Sequence, residues 1–167
     1  RDIARRAGNG AVCTSGGVVC RPGIVTSVVE TAEQLLDQRH LDPDTLAQML
    51  QDAKDASARF AKEEKIDVTW ERIWNIEPIP FHPDLIELCD QAILETCGVS
   101  HRLPSGPLHD AAEVCRAGVP TIMLFVQSLR GISHNKIEDT KEAHIALSVE
   151  ALDRLASKTI DWIVAQG

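Results

Sequence analysis

The chain has 167 residues, 44% hydrophobic and 25% charged, with a net charge of −8, enough for one domain or two small ones. This acidic balance, with no basic run and no basic–aromatic alternation, argues against a nucleic-acid surface. No apolar stretch approaches the roughly 20 residues of a membrane span, and no signal peptide is expected.

The opening, Arg1-Asp2-Ile3-Ala4-Arg5-Arg6, reads as the tail of a helix closed by Gly8-Asn9-Gly10, so the chain is expected to be a fragment of something longer. Ala11–Thr14 and Val18–Arg21 are short β-prone runs around Ser15-Gly16-Gly17, a hairpin signal, and Pro22-Gly23 marks a turn. Glu30–His40 is ambiguous: its propensity favours a helix, its position a strand. Asp42 caps the next helix, with Pro43 at its first position and Asp44 near the positive end of the dipole. Leu46, Met49, Leu50, Ala53, Ala56 and Phe60 keep one apolar face to about Lys62.

Ile66–Ile76 alternates at period two and predicts a strand, with Trp70 and Trp74 as core or interface residues. Pro78-Ile79-Pro80-Phe81 is a stiff connector and the best boundary between two subdomains. A helix follows over 83–97, with Leu85, Ile86, Leu88, Ile93 and Leu94 on its buried side. Residues 101–108 form a loop, and 111–117 a short helix that Asp110 can cap. The apolar run Ile122–Val126, bounded by Pro120, predicts a strand buried on both faces of a sheet. The last helix starts at Asp139 or Thr140 and runs to about Val164, with Ile145, Val149, Leu152, Leu155 and Ile163 as its stripe.

Five cysteines (Cys13, Cys20, Cys89, Cys97 and Cys115) form no C-x-x-C pair. An odd count at irregular spacing argues for a reducing, cytoplasmic setting rather than a disulfide scaffold. Cys13 and Cys20 remain able to cross a hairpin.

Chemistry is expected first at Ser133-His134-Asn135, the tip of a loop leaving the buried strand. Open α/β sheets bind ligands at such strand ends, and a histidine there is a metal-ligand or acid/base candidate. The plain alternative is a loop histidine bonded to backbone. His109, before Asp110, reads equally as a helix-start or surface residue. His40 suits a turn; His82, His101 and His144 suit solvated or capping positions. No histidine or carboxylate has the spacing of a complete metal site, which takes about three protein ligands.

Ser105-Gly106-Pro107-Leu108-His109-Asp110-Ala111, then Met123–Ser128, then Gly131-Ile132-Ser133-His134-Asn135-Lys136-Ile137-Glu138 resemble the closing part of the hydantoinase/carbamoylase amidases, metal-dependent amidohydrolases akin to the M20 peptidases. Arg21–Val25 and Leu36–His40 resemble the lid of that group. The resemblance implies an α/β fold: a ferredoxin-like lid and dimerisation subdomain (1–79, incomplete at its start), then the C-terminal part of a three-layer zinc-peptidase-like catalytic domain (80–167). It implies a strand at Glu30–Arg39.

It also implies hydrolysis of a linear carbamoyl or ureido C–N bond in an N-carbamoyl amino acid or allantoate-like substrate, with a homodimer formed through the lid. Two divalent metals per site (zinc, manganese, cobalt or nickel) belong to the intact enzyme. By position, His134 matches the last metal-binding histidine, His109 a catalytic histidine at the scissile carbonyl, and Arg39 the lid arginine that grips the substrate carboxylate. Thr26 stands at a substrate-binding position where the group usually has asparagine. Leu108 stands where it usually has glycine. The other ligands belong to the half before Arg1, so the chain alone is expected to be inactive. The alternatives are a related M20 aminoacylase or peptidase, and a non-catalytic dimerisation or binding module.

Overall fold

A computed structural model of the protein describes residues 1–8 and 10–167; the Asn9 of the expected helix stop lies outside the described residues. The chain divides into two compact units, Arg1–Pro78 and Ile79–Gly167.

In the first unit a short helix, α1 (Asp2–Ala7), leads into two strands, β1 (Val12–Arg21) and β2 (Thr31–Arg39). They pair antiparallel from Val12↔Arg39 to Arg21↔Thr31. The strand assignment for 30–39 therefore stands and the helical propensity of its sequence does not prevail, because a ladder satisfies its backbone through β1. Ser15-Gly16-Gly17 is not a hairpin turn. β1 runs straight through it, with a register shift between Ser15 and Gly17. Glycine signals a bulge as readily as a turn, and here the bulge is what forms.

The reversal falls instead at 22–30. There Gly23 has φ +60, and a Cβ would lie 2.9 Å from the Cys20 carbonyl oxygen. Cys13 and Cys20 therefore share one strand, and all five cysteines are free thiols.

Helix α2 (Pro43–Glu64) starts as its sequence dictates. The Asp42 carboxylate accepts the Thr45 N–H at 2.7 Å, Pro43 opens the first turn, and Lys65 ends it in the left-handed region. Those Thr45 bonds hold the Asp42 carboxyl below its ordinary pKa. Met49 and Ala53 are buried, whereas Phe60 is half exposed under the Arg59 guanidinium. Gln38 reaches from β2 to the Met49 carbonyl at 2.9 Å, tying sheet to helix. Arg6 of α1 donates to Asp52.

Residues 66–76 do not form the expected strand. The sheet has two strands among the described residues, and alternation without a ladder partner leaves only extended chain. Trp70 lies along α2 instead, its indole donating to Ser57 Oγ at 2.9 Å.

The second unit is built on α3 (Pro83–Cys97) and α5 (Glu142–Gln166), with α4 (Asp110–Arg116) between them in sequence. Cys89, Ala92 and Leu155 form the centre, and Leu88, Ile93, Ile122 and Leu124 pack against it. Burial pushes the Cys89 thiol pKa up. Lys158 of α5 reaches Glu95 of α3 at 2.8 Å, and the Trp162 indole donates to Asp84 at 3.1 Å, with His82 edge-on to its ring.

Three expectations are corrected here. The 122–126 run enters no ladder: Ile122 and Leu124 face the core, while Phe125 and Val126 remain exposed. A strand covered on both faces needs neighbours on both sides, and the described residues supply none. The expected stripe of α5 is also mostly outward. Ile145, Val149, Leu152 and Ile163 are exposed, and Ala151 and Leu155 make the contact. On α3, Leu94 is likewise exposed and Cys89 and Ala92 take the inner face. No helix among the described residues is long and apolar enough to cross a membrane.

Candidate functional site

The loop from Gly98 to His109 starts on a fixed base. Asp90 of α3 accepts from Ser100 Oγ and from Arg102 Nε, and Arg102 Nη2 donates to Glu87 at 2.8 Å. The Ser100 hydroxyl, aided by the Arg102 guanidinium, holds the Asp90 carboxyl below its ordinary range. Further along, Ser105 Oγ donates to the Pro107 carbonyl at 2.7 Å, just before Leu108, which is half exposed.

His109, not Asp110, occupies the N-cap position of α4, with extended backbone and no side-chain capping bond. Its ring is therefore not spent on the helix. It lies exposed against Phe125, centroids 6.5 Å apart and planes tilted 60°. Two sequence motifs meet in that contact: the loop before α4 and the apolar segment 120–126. Phe125 escaped the sequence reading because it was assigned to a strand interior.

Beyond that segment the chain enters a second loop. Its base closes where the Leu129 N–H donates to the Asp139 carbonyl at 2.7 Å. Arg130 and Gly131 both take positive φ. At the tip, His134 is exposed and also left-handed, with φ +56, a conformation that costs a non-glycine residue about 1–2 kcal/mol. Its N–H donates to Glu138 Oε2 at 2.8 Å. Asn135 Oδ1 accepts the Ile137 N–H at 3.2 Å, and the Asn135 carbonyl accepts the Glu138 N–H at 2.9 Å. Glu138 closes a motif singled out in the sequence but has no role assigned there. The signal was a carboxylate four residues after a histidine in a short polar loop.

In the first unit, Arg39 ends β2 opposite Val12. Its guanidinium grips Asp37 bidentately, Nη2–Oδ2 2.8 Å and Nε–Oδ1 3.2 Å. Thr26 lies exposed in the 22–30 loop, beyond the Arg21↔Thr31 end of the same ladder. Eight residue steps of β2, about 26 Å at roughly 3.3 Å each, part that end from Arg39. The ladder thus holds the two residues apart. His40 takes the turn role: its Nδ1 accepts the Asp42 N–H at 3.0 Å.

Among the described residues no three His, Cys, Asp or Glu side chains converge as a metal site. His134 has the chemistry of one ligand, an exposed imidazole on a knitted loop, but these residues do not by themselves fit a complete metal cage.

Residues 7–158 match the sequence profile of peptidase family M20/M25/M40. An allantoate amidohydrolase of Escherichia coli (strain K12) is 33% identical over 153 residues, covering 89% of this chain and 36% of that relative. An N-carbamoyl-L-amino acid amidohydrolase of Geobacillus stearothermophilus is 29% identical over 167 residues, 98% of this chain and 38% of the relative. Among solved structures, an amidase of the hydantoinase/carbamoylase family from Burkholderia multivorans superposes with a TM-score of 0.79 at 30% identity, over 92% of this chain and 38% of its own. The chain thus spans little more than a third of the length of these relatives, and its helices and two-stranded sheet are part of their fold.

Proposed function

This chain belongs to peptidase family M20/M25/M40, and from that premise we propose that the whole protein is a metal-dependent amidohydrolase cleaving a linear carbamoyl or ureido C–N bond, in an N-carbamoyl amino acid or an allantoate-like acid. The observation that carries the proposal is the uncommitted His109 ring, held by Phe125 at a helix start rather than used as a cap. In this reading His109 donates a hydrogen bond to the scissile carbonyl oxygen as negative charge develops there. Arg39 takes the substrate carboxylate in the two-pronged grip it now gives Asp37. The Arg39–Asp37 pair is half exposed, so giving up Asp37 for a substrate carboxylate costs little. Leu108 and Thr26 shape the substrate-facing surface, and His134 is the residue of this chain that contacts metal.

Three features accord with the finer parts of the proposal. The donor set around His134 is incomplete, which accords with a 167-residue piece that is inactive alone. The separation of Thr26 from Arg39 along one ladder means that a small substrate touching both would need two copies, which accords with a homodimer through the Arg1–Pro78 unit. A cytoplasmic setting accords with five free thiols.

The test is ammonia release by the full-length protein from N-carbamoyl amino acids and allantoate, beside N-acyl amino acids and dipeptides. The expected result is turnover of the carbamoyl or ureido compounds, abolished in His134→Ala and lowered about a hundredfold or more in His109→Ala. Turnover of N-acyl amino acids or dipeptides alone would replace this reading with an aminoacylase or peptidase. A stable dimer with no turnover of any of them would replace it with a dimerisation module.

A further inference from the structure

We infer that Glu138 is a positioning residue for His134: its carboxylate holds the histidine backbone left-handed and so sets where the imidazole points. The inference rests on the reading of His134 as a functional residue, and deepens it.

Three non-glycine residues take positive φ among the described residues: Lys65, Arg130 and His134. Lys65 has an ordinary reason, as the residue ending α2, with its N–H bonded back to the Ala61 carbonyl. Arg130 sits in a one-turn 3-10 helix, closed by the Gly131 N–H to the Ser128 carbonyl. His134 has no such backbone closure. Its N–H goes to a side chain, Glu138 Oε2, at 2.8 Å.

That side chain has a fixed mount. The Glu138 N–H is bonded to the Asn135 carbonyl at 2.9 Å, and the next residue, Asp139, closes the loop base through Leu129. A charged acceptor on a fixed mount forms a stronger bond than a neutral one. It therefore selects the backbone conformation that aims the His134 N–H toward it. Returning His134 to negative φ would swing its Cα–Cβ bond and redirect the ring, without touching the ring itself. An exposed glutamate in a loop ordinarily does nothing measurable. This one is joined to the residue whose direction matters.

The test is a double-mutant cycle on the melting temperature of the full-length protein: Glu138→Ala and His134→Gly, singly and together. Glycine adopts left-handed φ freely. It also keeps the backbone N–H that Glu138 accepts, so Glu138→Ala should lower the melting temperature in the His134 background and no less beside His134→Gly. Should Glu138→Ala fail to fold, Glu138→Asp, one methylene shorter, carries the same comparison. In turnover, Glu138→Ala should lower kcat/KM by about ten- to a hundredfold, mostly in kcat. Glu138→Gln, which still offers an oxygen acceptor, should restore most of it.

A melting loss that vanishes beside His134→Gly would overturn the inference, because the carboxylate would then act through the imidazole and not the backbone. So would full activity in Glu138→Ala beside an active wild type. If the wild-type protein hydrolyses no carbamoyl or ureido compound, the functional reading falls, and the melting cycle still decides the role of Glu138.

Discussion

The two units achieve order by different means. In Arg1–Pro78 the principal connections between elements are backbone bonds between β1 and β2, running unbroken but for one bulge, although the Arg6–Asp52 pair reaches further along the chain. In Ile79–Gly167 they are side chains: Leu155 against Cys89 and Ala92, Lys158 on Glu95, Arg102 on Asp90. A ladder is nearly indifferent to which side chains it carries, so most of those on β1 and β2 face solvent. A helix pair depends on a few of them. The second unit should therefore be the more sensitive to substitution.

The sharpest test is Leu155→Ala. It empties a site at the centre of the α3–α5 contact and should cost about 2–5 kcal/mol, read by urea denaturation. Gln38→Ala should cost about 1 kcal/mol by the same measurement, since it removes one bond to the Met49 carbonyl and leaves the ladder intact. If it costs as much as Leu155→Ala, the contrast between the units fails.

Next in size is a pH effect at Asp90. The folded state depresses its pKa, chiefly through Ser100 and then Arg102. The stabilisation is therefore complete above the ordinary aspartate range near 4, and is lost as pH falls through the lowered folded value. Asp90→Asn should melt below wild type at pH 7, and the gap should close in acid. A gap independent of pH would mean that the charge on Asp90 contributes nothing. Smallest of all, Lys158→Ala removes an exposed pair and should change the melting temperature little, and not at all in high salt.

This contrast also explains what could be read from the sequence. Helix starts were legible because their causes are local: Asp42 and Pro43 for α2, Pro83 for α3. The α5 start was placed at Asp139 or Thr140, slightly before Glu142, as fits an end without a side-chain cap. Strands were not legible in the same way. Ile66–Ile76 and Ile122–Val126 carry strand-like patterns, but a pattern cannot supply the neighbouring chain that makes a strand. Thr31–Arg39 has the weaker pattern and does have a partner, and its place in the chain and its likeness to known lids pointed there against its propensity.

The stripe of α5 was misread for a related reason. It has apolar residues on more than one face, and neighbours decide which face is covered. His109, His134 and Arg39 could be named as candidates from the sequence and its resemblance. What holds them could not, because Phe125, Glu138 and Asp37 become their partners only once the loops are folded.

The bulge at Gly16 also sets a parity. Cys13 and Cys20 are seven positions apart, an odd number that would put them on opposite faces of an unbroken strand. Their partners Gln38 and Ala32 are six apart, an even number. The extra residue therefore brings both cysteines to the same face. Removing Gly16 alone would leave six positions on β1 against six on β2, so a straight ladder would keep the facing of Val12–Thr14; one further residue inserted there, with no bulge to absorb it, would instead turn over the surface beside Arg39.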